Sequence, residues 1–418
     1  MLNPLSLDAV TATRIHENLG TPLYNSYCFS QLPSAILDRL TGSKTSALPN
    51  DALPDTNAEK VIFLLVDGFG WRFINRFGAD LPLLRQALNH GIVSKLTTQF
   101  PSTTSVHVTT IHTGLTVGKS GVVEWNYYEP RLDRIIASLP YSFYGDEGRE
   151  TIAQAGVDPT TLFPSQTLYH KLQPHGIPAY CFQHRNYAHS SYSRTVCDGA
   201  TIVPYRTVPE AIATLVQLLN HPGKAYYNLY IDSVDAISHR YGPSSPQTEA
   251  EAMGVMLLLE SLLYREVVKR KDTLLLVTAD HGQIDVFEDK TVYLEEQYPK
   301  LIPWLRRNAQ GDLLVPGGGP RDFFLYVRDE AVEEARDYLS QQLHGIATVH
   351  RTEDLIEQGY FAEVGAVLRS RLSNLIILPH KPWMIRWERK PDPNYVTRGH
   401  HGGLTVEEME IPLLAIVP

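Results

Sequence analysis

Four groups of acidic and imidazole side chains stand at the ends of apolar runs. The run 61–66 leads into Asp67 and Gly68, and the run 225–231 leads into Asp232, Asp235 and His239. The run 273–278 leads into Asp280, His281 and Gly282, and His400-His401 precedes a last run at 411–417. Carboxylates and imidazoles are the groups that zinc and manganese bind. Asp235 and His239 are four apart, so one helical turn puts both on one face. Asp280 and His281 are adjacent, and on a tight turn they can diverge toward two different ions. Each group alone has an ordinary explanation: Asp67 or Asp235 capping a helix, His239 packing beneath one, Asp-His-Gly as a plain turn. Four such groups, each beside an apolar run, make a metal site the better reading.

A candidate nucleophile lies in Phe100-Pro101-Ser102-Thr103-Thr104-Ser105. Hydroxyls at a helix start are usually caps, but four in a row exceed what a cap needs. A helix start also offers free N–H groups and a positive dipole end, which favour a phosphoryl group. A threonine hydroxyl is inert near neutral pH unless a base or a metal lowers its pKa.

The elements that must position these groups read as alternating strands and helices. A short unbroken run of branched apolar residues such as 61–66 is the mark of a strand buried on both faces. Strands are expected at 61–66, 92–97, 225–231, 273–278 and 411–417. Helices are expected at 33–40, 71–77, 81–90, 103–113, 209–219, 247–269 and 330–343. A surface loop is expected at 41–57, where Ser, Thr, Pro, Asn and Asp cluster. The pattern weakens and aromatics increase between 122 and 202, and again between 284 and 397, where 316–320 reads Pro-Gly-Gly-Gly-Pro and 379–393 is rich in Pro, Trp, Lys and Arg. The result is an α/β chain with a mainly parallel sheet and helices on both faces. Its core comprises 1–125, 200–285 and 398–418, and insertions at 126–199 and 286–397 stand over one edge as a cap. Open sheets of this kind carry their chemistry at the carboxyl ends of the strands.

With 418 residues, 43% hydrophobic and 20% charged, the composition is that of an ordinary globular protein. A net charge of −9 argues against a nucleic-acid polymer or an anionic membrane as the main partner. Three scattered cysteines indicate a reducing compartment and no disulfide framework. The first twenty or so residues lack the layout of a signal peptide, and no apolar run approaches the roughly 18–20 residues that span a bilayer. The expectation is a cytoplasmic protein.

Taken together, Leu-Val-Asp67-Gly-Phe, Phe-Pro-Ser-Thr-Thr104 through Thr113-Gly-Leu, Asp235 through His239-Arg-Tyr-Gly-Pro, Thr-Ala-Asp280-His281-Gly and His401-Gly resemble the alkaline phosphatase superfamily, in its type I phosphodiesterase / nucleotide pyrophosphatase branch. The resemblance covers about 60–125, 225–285 and 398–418 and implies an alkaline-phosphatase-like three-layer sandwich. It implies that Asp235, His239 and His401 hold one divalent ion. Asp67, Asp280 and His281 would hold a second, with Thr104 facing it as nucleophile. Zinc suits this mixed ligation, and manganese or iron would fit. Thr104 is chosen over Thr103 because it lies nine residues before Thr113, and His401 over His400 because it directly precedes the glycine. One departure from the branch is His107, three residues after the nucleophile, where its members carry asparagine; His107 either reaches a phosphoryl oxygen or packs on the helix. The sulfatase branch does not fit, since its modified Cys/Ser motif is absent.

The resemblance further implies hydrolysis of a phosphodiester or nucleotide pyrophosphate through a phosphothreonine. A phosphomonoesterase, phosphonate hydrolase or phosphomutase is the alternative within the superfamily, and an inactive metal-binding scaffold that docks a partner is the alternative outside it. The aromatics Trp125, Tyr127 and Tyr128 could stack on a base or cover an apolar leaving group, or could be core packing.

Overall fold

A computed structural model of the chain describes residues 1–15, 18–388 and 396–417. Its centre is a seven-stranded sheet. In chain order the strands are β1 (Lys60–Val66), β2 (Gly91–Thr97), β3 (Ala179–His184), β4 (Thr201–Tyr205), β5 (Ala225–Ile231), β6 (Thr273–Thr278) and β7 (Glu410–Ile416). They lie side by side as β2-β7-β6-β1-β5-β3-β4. All pairs from β6 across to β4 are parallel, while β7 is antiparallel to both β6 and β2. Every residue of β1 and of β6 is buried, so helices and loops cover both faces of the middle of the sheet, as unbroken apolar runs require.

Register decides where the chemistry falls. Val66 pairs with Ile231 and Leu65 with Thr278, so β1, β5 and β6 stop level with one another. The residues that follow, Asp67, Asp232 and Ala279-Asp280, therefore emerge at one edge. Glu410 at the start of β7 pairs with Thr97 at the end of β2, which brings the His401 loop and the Ser102–Thr104 loop to that same edge.

Helices connect these strands. They are α1 (Trp71–Phe77), α2 (Thr104–Thr113), α3 (Leu168–Leu172), α4 (Ser191–Val196), α5 (Val208–Leu218), α6 (Ser233–Tyr241) and α7 (Pro246–Leu258). Two of them, α2 and α6, carry site residues. The helix expected at 247–269 runs as α7, a π-helical stretch at Leu259–Tyr264 and a last turn at Arg265–Val267.

The expected extent of the first insertion, 126–199, needs correction. Only its beginning stands apart, as a small sheet of Asn126–Glu129, Arg134–Ala137 and Ser142–Phe143. The later part returns to the core: β3 inserts between β5 and β4, and α3 and α4 pack with it. The second excursion carries its own four-stranded sheet, in the order Gly317–Gly319, Asp322–Leu325, Leu375–Pro379, Ala347–Arg351, with the helix Val332–Gln342 packed against it. Of the stretch 379–393, residues 389–393 lie outside the described residues. Two buried ion pairs bind this unit to the rest. Arg321 reaches both oxygens of Glu408 at 3.1 Å, and Arg371 reaches Glu129 at 2.6 Å. A fork-shaped guanidinium matching a carboxylate in a dry interior fixes orientation as well as contact.

Candidate metal centre and nucleophile

Asp67 leaves the end of β1 and turns at once, because Gly68 adopts φ +72°. A side chain at 68 would also press on the Asp235 backbone at 3.0 Å, so glycine is what lets α6 approach. The turn after β6 is held as closely: a Cβ on Gly282 would lie 2.1 Å from the Glu407 carbonyl. These contacts draw Asp67, Asp235, Asp280 and His281 into one buried cluster.

Three imidazoles face that cluster with the same tautomer. The Nδ1–H of His239 donates to the Gly399 carbonyl at 2.8 Å, that of His401 to the Ser102 carbonyl at 2.9 Å, and that of His281 to the Gly282 carbonyl at 3.2 Å. A carbonyl can only accept, so the proton sits on Nδ1 and each Nε2 presents a lone pair to the site, the arrangement that backbone oxygens impose on metal-binding histidines. His239 Nε2 lies 3.4 Å and His401 Nε2 3.9 Å from the Asp235 carboxylate. His281 Nε2 lies 3.4 Å from Asp67 and 3.5 Å from Asp280, and its ring stacks on that of His401 with centroids 3.6 Å apart. Donor atoms of Asp67, Asp280 and His281 lie within 4.8 Å of one another, and so do those of Asp235, His281 and His401.

Charge makes the case for cations. Asp67 and Asp280 are nearly or wholly without solvent exposure, and one oxygen of each, Oδ1 and Oδ2 respectively, has no hydrogen-bond partner. Burial, then the neighbouring Asp280 and Asp235 charges, pushes the Asp67 carboxyl well above the usual carboxylate range. Burial likewise raises Asp280 and Asp235, and it holds His281 and His401 neutral far below the ordinary imidazole value. Unpaired buried carboxylates are costly, and divalent cations supply what the protein omits. The residues present therefore fit a metal centre.

A pH dependence follows. Where burial raises a carboxyl above its usual 3.8, the folded chain holds protons that the unfolded chain has released, so the metal-free protein loses stability as pH rises from that value through the folded pKa. Bound cations remove that loss and compete better as protons leave. The Tm difference between zinc-loaded and chelator-treated protein should accordingly widen from pH 5 to pH 8. A difference constant across that range would contradict the reading.

Thr104 is the first residue of α2, and its Oγ1 lies 3.1 Å from His281 Nε2 and 3.5 Å from Asp67 Oδ2. Of the other hydroxyls, Ser102 stitches this loop to the last one by donating to the Gly403 carbonyl at 2.8 Å. Thr103 is the residue before the helix, and Ser105 Oγ is buried without a partner. Only Thr104 among them faces the acidic cluster.

Two residues for which the sequence allowed either a substrate contact or packing are packed. His107 is fully buried: it donates from Nδ1 to the Thr103 carbonyl at 2.7 Å and accepts at Nε2 from the Gln99 N–H at 2.9 Å. Both nitrogens are spent on backbone, and burial holds its pKa down at about 4. It braces the strand-to-helix turn and has no proton to offer a phosphoryl oxygen. Tyr127 is also fully buried, with the Arg371 guanidinium 5.0 Å from its ring centre, so it is core packing. Trp125, in contrast, is 41% exposed and lines a cleft of about 410 Å³ that also takes in Thr104, His239, Tyr144 and Trp387.

Several site residues were not anticipated. The Tyr230 hydroxyl donates to Asp67 Oδ2, and the Gln283 amide donates to Asp235 Oδ1. Each orients a carboxylate from a different element. Tyr230 sits two residues before Asp232, and alternation along β5 was the one sequence cue. Glu124 also lines the cleft, and burial pushes its carboxyl up to about 7.

A model of the family described as type I phosphodiesterase / nucleotide pyrophosphatase matches residues 61–404. Ectonucleotide pyrophosphatase/phosphodiesterase family member 3 of Mus musculus is 23% identical over 292 residues, 67% of this chain and 31% of that protein. The rat protein of the same name is 23% identical over 376 residues, 86% of this chain and 39% of its own length. An uncharacterized pyrophosphatase/phosphodiesterase of Schizosaccharomyces pombe is 22% identical over 357 residues, 82% of this chain and 67% of that protein. The chain thus spans about a third of the length of the mouse protein. Among solved structures, murine ectonucleotide pyrophosphatase / phosphodiesterase 5 superposes with a TM-score of 0.65 at 17% identity, covering 86% of this chain and 88% of that one. It shares the fold, an alkaline-phosphatase-like sheet with its helices.

Proposed function

The chain belongs to the type I phosphodiesterase / nucleotide pyrophosphatase family, and from that premise we propose that it is a metal-dependent phosphodiesterase or nucleotide pyrophosphatase that works through a phosphothreonine on Thr104. The observation that carries the reading is the Thr104 hydroxyl set 3.1 Å from His281 Nε2, among carboxylates with orphaned oxygens. A threonine-to-alanine variant of murine ectonucleotide pyrophosphatase / phosphodiesterase 5, described as inactive, was captured with AMP, which lends support to a nucleotide substrate and a threonine nucleophile here.

Two divalent ions, zinc by preference, would be held by Asp235, His239 and His401 and by Asp67, Asp280 and His281. When bound, they lower the threonine pKa and neutralise charge on the attacking and leaving oxygens. The protein's own part is positional. The start of α2 fixes Thr104 Oγ1 and turns its free N–H groups toward the phosphoryl oxygens. In the first half-reaction an Oγ–phosphorus bond forms and the bond to the leaving oxygen breaks. In the second, water takes the phosphoryl group and the Thr104 hydroxyl is restored. The three Nδ1–H to carbonyl bonds keep the imidazoles from turning away during both steps.

The cleft beside Thr104 favours a diester over a monoester. Its volume of about 410 Å³ leaves room for a second substituent on phosphorus, and Trp125 offers a face on which a base can stack. The free thiols of Cys28, Cys181 and Cys197 fit the reducing, cytoplasmic setting that we propose for the chain. Among the described residues no helix is long and apolar enough to cross a membrane.

Rates on bis-p-nitrophenyl phosphate and p-nitrophenyl phosphate separate the readings. The diester should be hydrolysed at least 10-fold faster, and Trp125→Ala should raise KM for a dinucleotide substrate about 10-fold, the worth of one stacked base. A preference for the monoester would move the protein to the phosphomonoesterases of the superfamily, and metal content without turnover on any phosphoester would favour an inactive scaffold.

A further inference from the structure

Away from the cleft, four polar side chains from four elements meet in the core. His112 comes from the last turn of α2, Tyr169 from α3, Cys181 from β3, and Cys197 from the residue that ends α4. None is more than 2% exposed. One donor atom from each of His112, Cys181 and Cys197 lies within 4.8 Å of the others. The Cys197 sulfur is 3.9 Å from the His112 ring nitrogens. The Tyr169 hydroxyl lies 2.5 Å from His112 Nδ1 and 2.8 Å from Cys181 Sγ. The Gln183 amide, two residues along the same strand, donates to Cys197 Sγ at 3.5 Å.

We propose that His112, Cys181 and Cys197 form a separate, structural metal site for a thiophilic divalent cation of the zinc class. Tetrahedral zinc with bonds of about 2.0–2.3 Å sets its sulfur and nitrogen ligands about 3.5–3.8 Å apart, within a small side-chain shift of the spacing here. Two thiolates balance one dication, so the loaded site is neutral in a dry interior and needs no further counter-charge. The Gln183 N–H supports one thiolate, as groups behind a metal ligand commonly do. The Tyr169 hydroxyl, which bonds His112 Nδ1 and Cys181 Sγ, would shift on loading to fill the fourth position, so the site is closed to water and holds the fold together. A cysteine pair packed merely as small apolar residues accounts for the sulfurs, and the Tyr169 hydroxyl satisfies His112 Nδ1, but neither calls for two thiols and an imidazole from three elements to converge on one point. Bound metal would tie the far end of α2, the helix that begins with Thr104, to β3 and α4.

Cobalt substitution distinguishes this site from the Asp/His centre, which has no sulfur ligand. Protein stripped and reconstituted with cobalt should show thiolate-to-cobalt charge-transfer absorption in the near ultraviolet. The double variant Cys181→Ser/Cys197→Ser should lose that absorption and one equivalent of metal per chain by elemental analysis. Fully cobalt-loaded wild-type protein lacking the absorption overturns the proposal, as does a Cys181–Cys197 disulfide in the mass spectrum of protein isolated without reductant. The wild-type spectrum decides by itself if the double variant does not fold.

Discussion

Thr104→Ala should lower kcat on a diester by about 100,000-fold, the scale set by removing a covalent nucleophile from its supporting groups. Metal content should not change, because no carboxylate or imidazole is lost. Stability should fall little, since the hydroxyl makes one hydrogen bond of normal length, to His281, worth about 1 kcal/mol. Single-turnover labelling of wild-type protein with a phosphorus-labelled diester, followed by acid quench, should leave label on the peptide containing Thr104. Near-normal turnover in the alanine variant would remove the nucleophile from this residue whatever the metals do.

Asp280→Asn should act in two opposite directions. Asp280 Oδ1 accepts from the Gly68 N–H at 3.1 Å and from the His281 N–H at 3.0 Å, and an amide oxygen can keep both bonds. Oδ2 has no partner, and it is there that the amide would put an N–H in place of a cation's ligand. Turnover should therefore fall on the order of 1,000-fold as transition-state charge stabilisation is lost. In the metal-free protein the same change removes one of the buried carboxylates whose charge is disfavoured, so stability near pH 7 should rise. Activity assays and thermal melts in chelator read the two effects separately. A variant destabilised without metal would mean that the cluster is held by something other than cations.

Much of this architecture was legible in the sequence for a physical reason. Strands buried on both faces must be largely apolar, so β1 and β6 announced themselves as unbroken runs and β5 as a Tyr-rich one interrupted by Asn228, and the carboxylates after them marked where the runs stop. β3 was missed because Ala-Tyr-Cys-Phe-Gln-His has no aliphatic run; its burial comes from aromatic and sulfur side chains between two neighbouring strands. The same ambiguity left Tyr127 undecided, since aromatics near a cleft look alike whether they line it or lie under it. Trp125 points outward and Tyr127 inward, two positions apart on a chain just entering a strand at Asn126, which no spacing rule separates at that boundary. His107 could not be decided from the sequence because its role lies in hydrogen bonds to the Gln99 and Thr103 backbone. Gln283 was invisible, and Tyr230 nearly so, for a related reason: what they do depends on a partner more than forty residues away in the chain, at Asp235 or Asp67.

Anomalous diffraction from zinc-soaked crystals at the zinc absorption edge tests the central claim most directly. Two peaks about 4 Å apart are expected beside Thr104 Oγ1, one within bonding distance of Asp67, Asp280 and His281, the other of Asp235, His239 and His401. A single peak, or none within reach of Thr104, would contradict it.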